Sequence, residues 1–284
     1  MCYNESTNER EVVEMITTTY LEKVRLTKSN NTYKVYKTAL ERWFTNEDDT
    51  LTTDNIITKL SKWKVDNNTK VLRCAILKAF MKFYSRKNTI EDYDEILDVI
   101  SGISKVNKIP EYVTTEAYDK LISLYMDKRY RLAIELMFKN GLREDEVSSL
   151  MAKDYDANQS TVIIRNPKNH SDMIAYLNSD TNAMVKDIIG DSKDGYILHT
   201  RTGHRILNSM FRRDIKALCI KAGYPKLHAH SFRHGSAKYL LDHDVDIATI
   251  QSHLGHKSIA TTQRYLHIGM KQKELVRGLF DAVG

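Results

Sequence analysis

A chain of 284 residues is long enough for two buried cores, and 3 prolines with 11 glycines leave little room for disorder. Its net charge of +6 is compatible with a polyanionic partner without requiring one. The cysteines Cys2, Cys74 and Cys219 are too few and too scattered for a disulfide framework or a thiolate zinc site, and no run reaches the ~20 apolar residues that span a bilayer. Residues 1–20 lack a basic start and an apolar core, so the expectation is a soluble protein of the reducing cytoplasm.

Runs rich in Leu, Ile, Lys, Glu and Ala predict a mainly α protein. The break at Ser104–Pro110, polar and ending in proline, divides it into an amino-terminal domain (1–105) and a carboxy-terminal domain (106–284). In the first, residues 10–26 form one helix and Ser29–Phe44 a second, with Tyr36, Leu40 and Trp43 on one face. A third runs from Thr53, where Thr53 or Asp54 caps it, to Trp63. Asn67–Arg86 is the fourth: Leu72, Ile76, Phe80 and Phe83 make an apolar stripe, and Lys78, Lys82 and Arg86 repeat on the other side. From Lys23 to Lys87, 15 Lys/Arg face 6 Asp/Glu, a surplus of nine that exceeds the net charge of the whole chain. A basic face is more often simply solvated. Two helices of the same sign beside a phosphate-type site instead suggest a DNA-gripping surface that includes Lys34, Lys37, Lys78, Lys82 and Arg86.

The second domain opens with helical patterning at Thr115–Met126 and Arg129–Lys139. Asn140-Gly141 ends the latter with a left-handed cap, and Glu144, Asp145 and Glu146 begin the next helix, as the macrodipole favours. Arg143 is thereby mounted on a tight junction. Thr161–Arg165 and Met173–Leu177 read as an antiparallel hairpin with Lys168 in its turn. Helices follow at Asn208–Ala222 closed by Gly223, Ser231–Asp242, Asp246–Leu254 closed by Gly255, and Ser258–His267; Met270–Phe280 can form a last short one.

Arg143, Lys168, His230, Arg233, His256 and Tyr265 make a set suited to breaking a phosphodiester without a metal. Cations neutralise the phosphate, an acid protonates the leaving oxygen, and a hydroxyl attacks. Any one of them alone has an ordinary reading: a surface ion pair, a packed tyrosine, a helix-end histidine. A metal site among His228, His230, His234, His243, His253, His256 and His267 is disfavoured, because no His-Glu-x-x-His occurs and Arg233 would repel a cation.

In order and spacing, Leu227-x-x-His230-Ser-Phe-Arg233-His, Leu254-Gly-His256 and Thr262-x-x-Tyr265 resemble the signature of the tyrosine recombinases, the phage-integrase family. The resemblance extends through Gly141-Leu-Arg143 with Glu146, and to Ser29-Asn-Asn-Thr32-x-x-x-Tyr36, similar to the family's core-binding domain. It implies that Arg143 and Arg233 clamp the phosphate, that Tyr265 forms a 3′-phosphotyrosyl link, and that Lys168 protonates the departing 5′-oxygen. His230 would accept the tyrosine proton, His256 would hydrogen-bond the phosphate, and Glu146 would orient a cation. The hairpin departs from the family's usual Gly-Lys-Gly-x-Lys-x-Arg, reading Pro167-Lys168-Asn-His-Ser-Asp, and Phe232 replaces a common leucine. The resemblance further implies a clamp around duplex DNA, a dimer on one site, a tetramer on two, and strand exchange through a Holliday junction with no cofactor. Length favours a Xer-like enzyme resolving chromosome or plasmid dimers. The alternatives are integration or excision of a mobile element, a type IB topoisomerase, or an inactive DNA-binding protein. The last segment, from Met270, would pack on its own domain or dock on a neighbouring protomer.

Overall fold

The computed structural model describes residues 9–44, 50–106, 110–165 and 172–255. The chain splits into two compact units, Met1–Lys108 and Ile109–Gly284. Both are mainly helical, and the second carries a small antiparallel sheet. No described helix is long and apolar enough to cross a membrane.

The first unit is a bundle of α1 (Glu9–Thr27), α2 (Asn30–Trp43), α3 (Thr53–Lys62), α4 (Asn67–Tyr84) and α5 (Tyr93–Ser101). The Ser29 and Asp66 side chains accept from the main-chain N–H groups of Thr32 and Thr69, fixing where α2 and α4 begin. The core is aromatic: Trp43 and Trp63 lie 4.4 Å apart between ring centres, and Trp43 Nε1 donates to the Arg73 carbonyl at 3.0 Å. Tyr20 packs against Tyr36, Phe80 and Phe83, and burial pushes its phenol up to about 12.

Two expectations fail here. Leu72 is exposed; α4 buries Cys74, Ile76, Leu77, Phe80, Met81 and Tyr84 instead. Residues four apart advance 400° on a 3.6-residue helix, so the Leu72–Ile76–Phe80 row drifts about 40° per step and carries Leu72 off the core face. Neither Thr53 nor Asp54 caps α3. Thr52 occupies that position without a capping side-chain bond, and Asp92, from just before α5, accepts the Thr53 N–H at 2.8 Å.

In the second unit, α7 (Lys128–Lys139) is the central helix, buried continuously from Leu132 to Phe138. Around it lie α6 (Thr115–Ile122), α8 (Glu144–Ser149), α9 (Ser179–Ile189), α10 (Asn208–Lys221), α11 (Ala229–Asp242) and α12 (Ile247–Leu254). Strands β1 (Tyr155–Asp156), β2 (Thr161–Ile164) and β3 (Met173–Tyr176) pair antiparallel in sequence order, with Thr161 opposite Tyr176 and Ile164 opposite Met173. Val162 and Ile164 alternate inward from β2 to the core. The predicted hairpin is therefore present, enlarged by β1, while its Lys168 turn lies outside the described residues, as do the predicted Ser258–His267 helix and the Met270 segment. Helix α6 stops at Ile122, four residues short of the predicted end, where the Ser123 N–H returns to Asp119 and the chain turns toward Asp127.

Candidate active site

Two helix ends and one helix face build the site. At the end of α7, Asn140 keeps helical geometry and Gly141 turns left-handed at φ +61°. A Cβ at Gly141 would stand 2.4 Å from Leu254 Cδ2, so glycine here serves both the turn and the close approach of α12. Two residues on, Arg143 caps α8. Its main-chain N–H donates to Glu146 Oε2 and its Nη1 to Glu146 Oε1, both at 2.7 Å. The anticipated partnership of Glu146 with a cation thus has a definite form: one carboxylate fixes both the backbone and the guanidinium of Arg143. The arginine keeps 39% of its side chain exposed, so it can still face a ligand.

Helix α11 supplies the second cation. Its start is set by the His228 N–H donating to Ser231 Oγ at 3.2 Å. Arg233, one turn in, is only 2% exposed, and its guanidinium donates to the carbonyls of Gly141 and Leu254. It therefore ties together the Arg143 junction and the end of α12. His230 is on the exposed side of the first turn, its ring 4.6 Å from that of His234. Its pKa lies below the ordinary histidine value, first through desolvation of the ring and then through the positive charges of Arg233, His228 and Arg143, partly opposed by Glu144. At neutral pH it is an uncharged imidazole, able to accept a proton.

Helix α12 closes at Gly255, left-handed at φ +59°, immediately before His256. A Cβ on Gly255 would come within 2.2 Å of Met173 Sδ, so the start of β3 rests against this helix end. Of the predicted residues, the structure brings together Arg143, His230 and Arg233, with the Leu254-Gly255 turn beside them. Lys168, His256 and Tyr265 lie outside the described residues. In the first unit, Lys34, Lys37, Lys78, Lys82 and Arg86 are all exposed, with Lys37 3.8 Å from Glu41.

Sequence reasoning missed the second layer. Arg205 donates to the Ser148 carbonyl at 3.2 Å, to Ser148 Oγ at 2.9 Å and to Asp145 Oδ1 at 2.8 Å, tying the start of α8 to its end. Asn208 Nδ2 joins the same Asp145 oxygen at 2.8 Å. Glu144 pairs with Arg212 of α10. The acids that open α8 thus also draw in the basic residues around it, a pairing across some 60 positions that carries no local signal. Chemically, the assembly offers a fixed, partly exposed guanidinium, a neutral imidazole and a second guanidinium that locks their supports. That suits a negatively charged group undergoing displacement at phosphorus.

Residues 111–272 match the model of the phage integrase family. Tyrosine recombinase XerC of Rickettsia prowazekii (strain Madrid E) is 30% identical over 235 residues, covering 76% of this chain and 75% of that protein. A tyrosine recombinase of Pseudothermotoga lettingae is 28% identical over 237 residues, 81% of this chain and 79% of that one. In fold, the chain is similar to the XerH site-specific recombinase solved bound to a palindromic difH substrate, with a TM-score of 0.72 at 18% identity over 98% of this chain and 91% of that one.

Proposed function

The chain belongs to the phage integrase family of DNA-cleaving and rejoining enzymes, and on that footing we propose that it is a Xer-like site-specific recombinase. Arg143 and Arg233 neutralise the scissile phosphate. The Tyr265 phenol oxygen attacks phosphorus, the P–O5′ bond breaks, and DNA is left joined to the enzyme through a 3′-phosphotyrosine. The phenol, with a reference pKa of about 10, passes its proton to His230. Lys168 protonates the leaving 5′-oxygen and His256 hydrogen-bonds the phosphate. One phosphodiester is exchanged for another, so a second strand's 5′-hydroxyl can reverse the step without ATP or metal.

The observation that carries this reading is the convergence of Arg143, His230 and Arg233 on one junction, with the imidazole held neutral among the cations. The exposed lysines of the first unit grip the duplex backbone. The protein acts in the cytoplasm as a dimer on one site and a tetramer on two. Its likeness to proteins named tyrosine recombinase XerC supports the Xer-like reading, in which its task is resolving chromosome or plasmid dimers.

The test is covalent selection. Nicked duplexes of random central sequence are incubated with the protein in EDTA, and DNA that remains attached after denaturation is sequenced and resynthesised. Recovery of one inverted-repeat sequence, and its loss with Tyr265→Phe, is the expected result. Attachment with no sequence preference would indicate the topoisomerase alternative, and no attachment would contradict the reading.

A further inference from the structure

Strands β2 and β3 end their register with Ile164 opposite Met173, so Arg165 and Asp172 are the next residues to face each other. Here side chains continue the pairing: Arg165 Nη1 donates to Asp172 Oδ2 at 2.7 Å. The same guanidinium donates through Nε at 3.0 Å and through Nη2 at 2.7 Å to one oxygen of Asp154. That carboxylate is only 3% exposed while the arginine is 59% exposed, so the aspartate is a fixed post and the arginine reaches out from it. Asp154 closes a single 3-10 turn, Ala152–Asp154, that begins three residues after α8 ends. The turn is tied down by the Ala152 N–H donating to the Gly195 carbonyl at 3.0 Å and the Ile197 N–H to the Leu150 carbonyl at 2.9 Å. The two strand ends are thereby referred to the two backbone segments that build the site. Through Asp154, the end of β2 is held to the chain leaving α8, the helix that Arg143 caps. The start of β3 rests through Met173 against Gly255, at the close of α12 that Arg233 holds. Arg165 joins the two.

An exposed ion pair ordinarily contributes little to stability. Here three of the five guanidinium donors are committed to two carboxylates from different parts of the chain. What lies between the joined ends gives that commitment a use. Residues 166–171, outside the described residues, include Lys168, three positions after Arg165 and four before Asp172. We propose that Arg165, braced by Asp154 and Asp172, is a positioning residue for the leaving-group acid. Fixing both ends of a short loop reduces the volume that a residue within it can sample, and so raises the share of time it spends within reach of a reacting atom. Removing the brace leaves Arg143 and Arg233 with all their bonds. It therefore acts on one event, delivery of the Lys168 proton to the 5′-oxygen as the P–O5′ bond breaks. The inference rests on the recombinase reading, which assigns that proton to Lys168.

The test changes the leaving group. In one version of the selected nicked duplex, sulfur replaces the bridging 5′-oxygen at the scissile phosphate. The P–S bond then breaks to a thiolate, a far weaker base than an alkoxide, which departs without an acid. In single-turnover cleavage of the ordinary duplex, Arg165→Met and Asp172→Ala should each be slower by about tenfold, part of the roughly hundredfold or more that a positioned acid supplies. On the sulfur duplex both should come within about twofold of the unaltered protein, the range of an uncoupled surface change. Combining the two should cost no more than the worse of them, because they break one brace. Lys168→Ala sets the scale: it should lose about a hundredfold on oxygen, recover on sulfur, and be slowed no further by Arg165→Met. If the two brace variants cleave the ordinary duplex at full rate, the proposal is overturned. It is also overturned if they are equally slow on both duplexes while Lys168→Ala recovers on sulfur, since the defect is then a general structural one and the recombinase reading stands. If Lys168→Ala is itself equally slow on both, Lys168 is not the acid, and the proposal falls together with that part of the recombinase reading.

Discussion

Glu146 holds Arg143 twice, one carboxylate oxygen on the main-chain N–H and the other on the guanidinium, each at 2.7 Å. The pair fixes an arginine at the amino-terminal cap of a six-residue helix, where it would otherwise rotate freely. Glu146→Gln keeps the shape and one acceptor but loses the charge. It should slow cleavage by about tenfold while changing stability by about 1 kcal/mol or less, since Arg143 is more than a third exposed. Single-turnover rates and urea unfolding would show the two effects separately.

Gly141→Ala should be far more damaging to the fold. The left-handed backbone costs an alanine ~1–2 kcal/mol, and the new Cβ meets the side chain of the fully buried Leu254, which must shift within the packed core. A loss of about 2 kcal/mol or more is expected in urea. Gly195→Ala, at φ +86° with nothing within 4 Å, isolates the backbone cost and should lose less.

The pH dependence follows from His230. Its folded pKa is lowered by desolvation and by Arg233, His228 and Arg143, against Glu144, so it accepts a proton at neutral pH and stops doing so only below the ordinary value of about 6.5. Cleavage should fall on that acid side, and the acid limb should vanish with His230→Gln, at a lower plateau. Stability has the same sign. Above the unfolded pKa the group contributes fully; as pH falls from there toward the folded pKa, the unfolded chain takes up protons that the folded one refuses, and stability is lost. His253, lowered by burial and Arg233, adds to this loss in the same direction.

Arg205→Ala removes donors to Ser148 and Asp145 at once. The side chain is about a third exposed, so the expected loss is about 1 kcal/mol, concentrated in α8. Hydrogen exchange should quicken in Glu144–Ser149 more than in α7, and unchanged exchange there would remove Arg205 from the account.

What could be read from the sequence were features written in adjacent residues. Gly141 and Gly255 mark left-handed helix ends, the Asn140–Glu146 stretch spells a stop followed by an acidic start, and alternating Val162 and Ile164 announce a strand. Short or strongly charged elements escaped. Helix α5 is nine residues that include Asp94, Glu95 and Asp98, although Ile96 and Ile100 anchor it in the core; α9 begins from an Asn178 cap amid polar residues; β1 has two residues. The site divides the same way. His230 and Arg233 could be paired by helical spacing, but the burial of Arg233 against Gly141 and Leu254 depends on contacts 92 and 21 positions away, which no local pattern records.

The central claim is a covalent bond between DNA and one phenol. The selected duplex, nicked so that cleavage cannot reverse, is incubated with the protein in EDTA, and the adduct is digested and mapped by mass spectrometry. The account predicts a single modified peptide carrying a 3′-phosphonucleotide on Tyr265, absent in Tyr265→Phe. An adduct on another residue, one that forms only with magnesium, or one that survives Tyr265→Phe would contradict it.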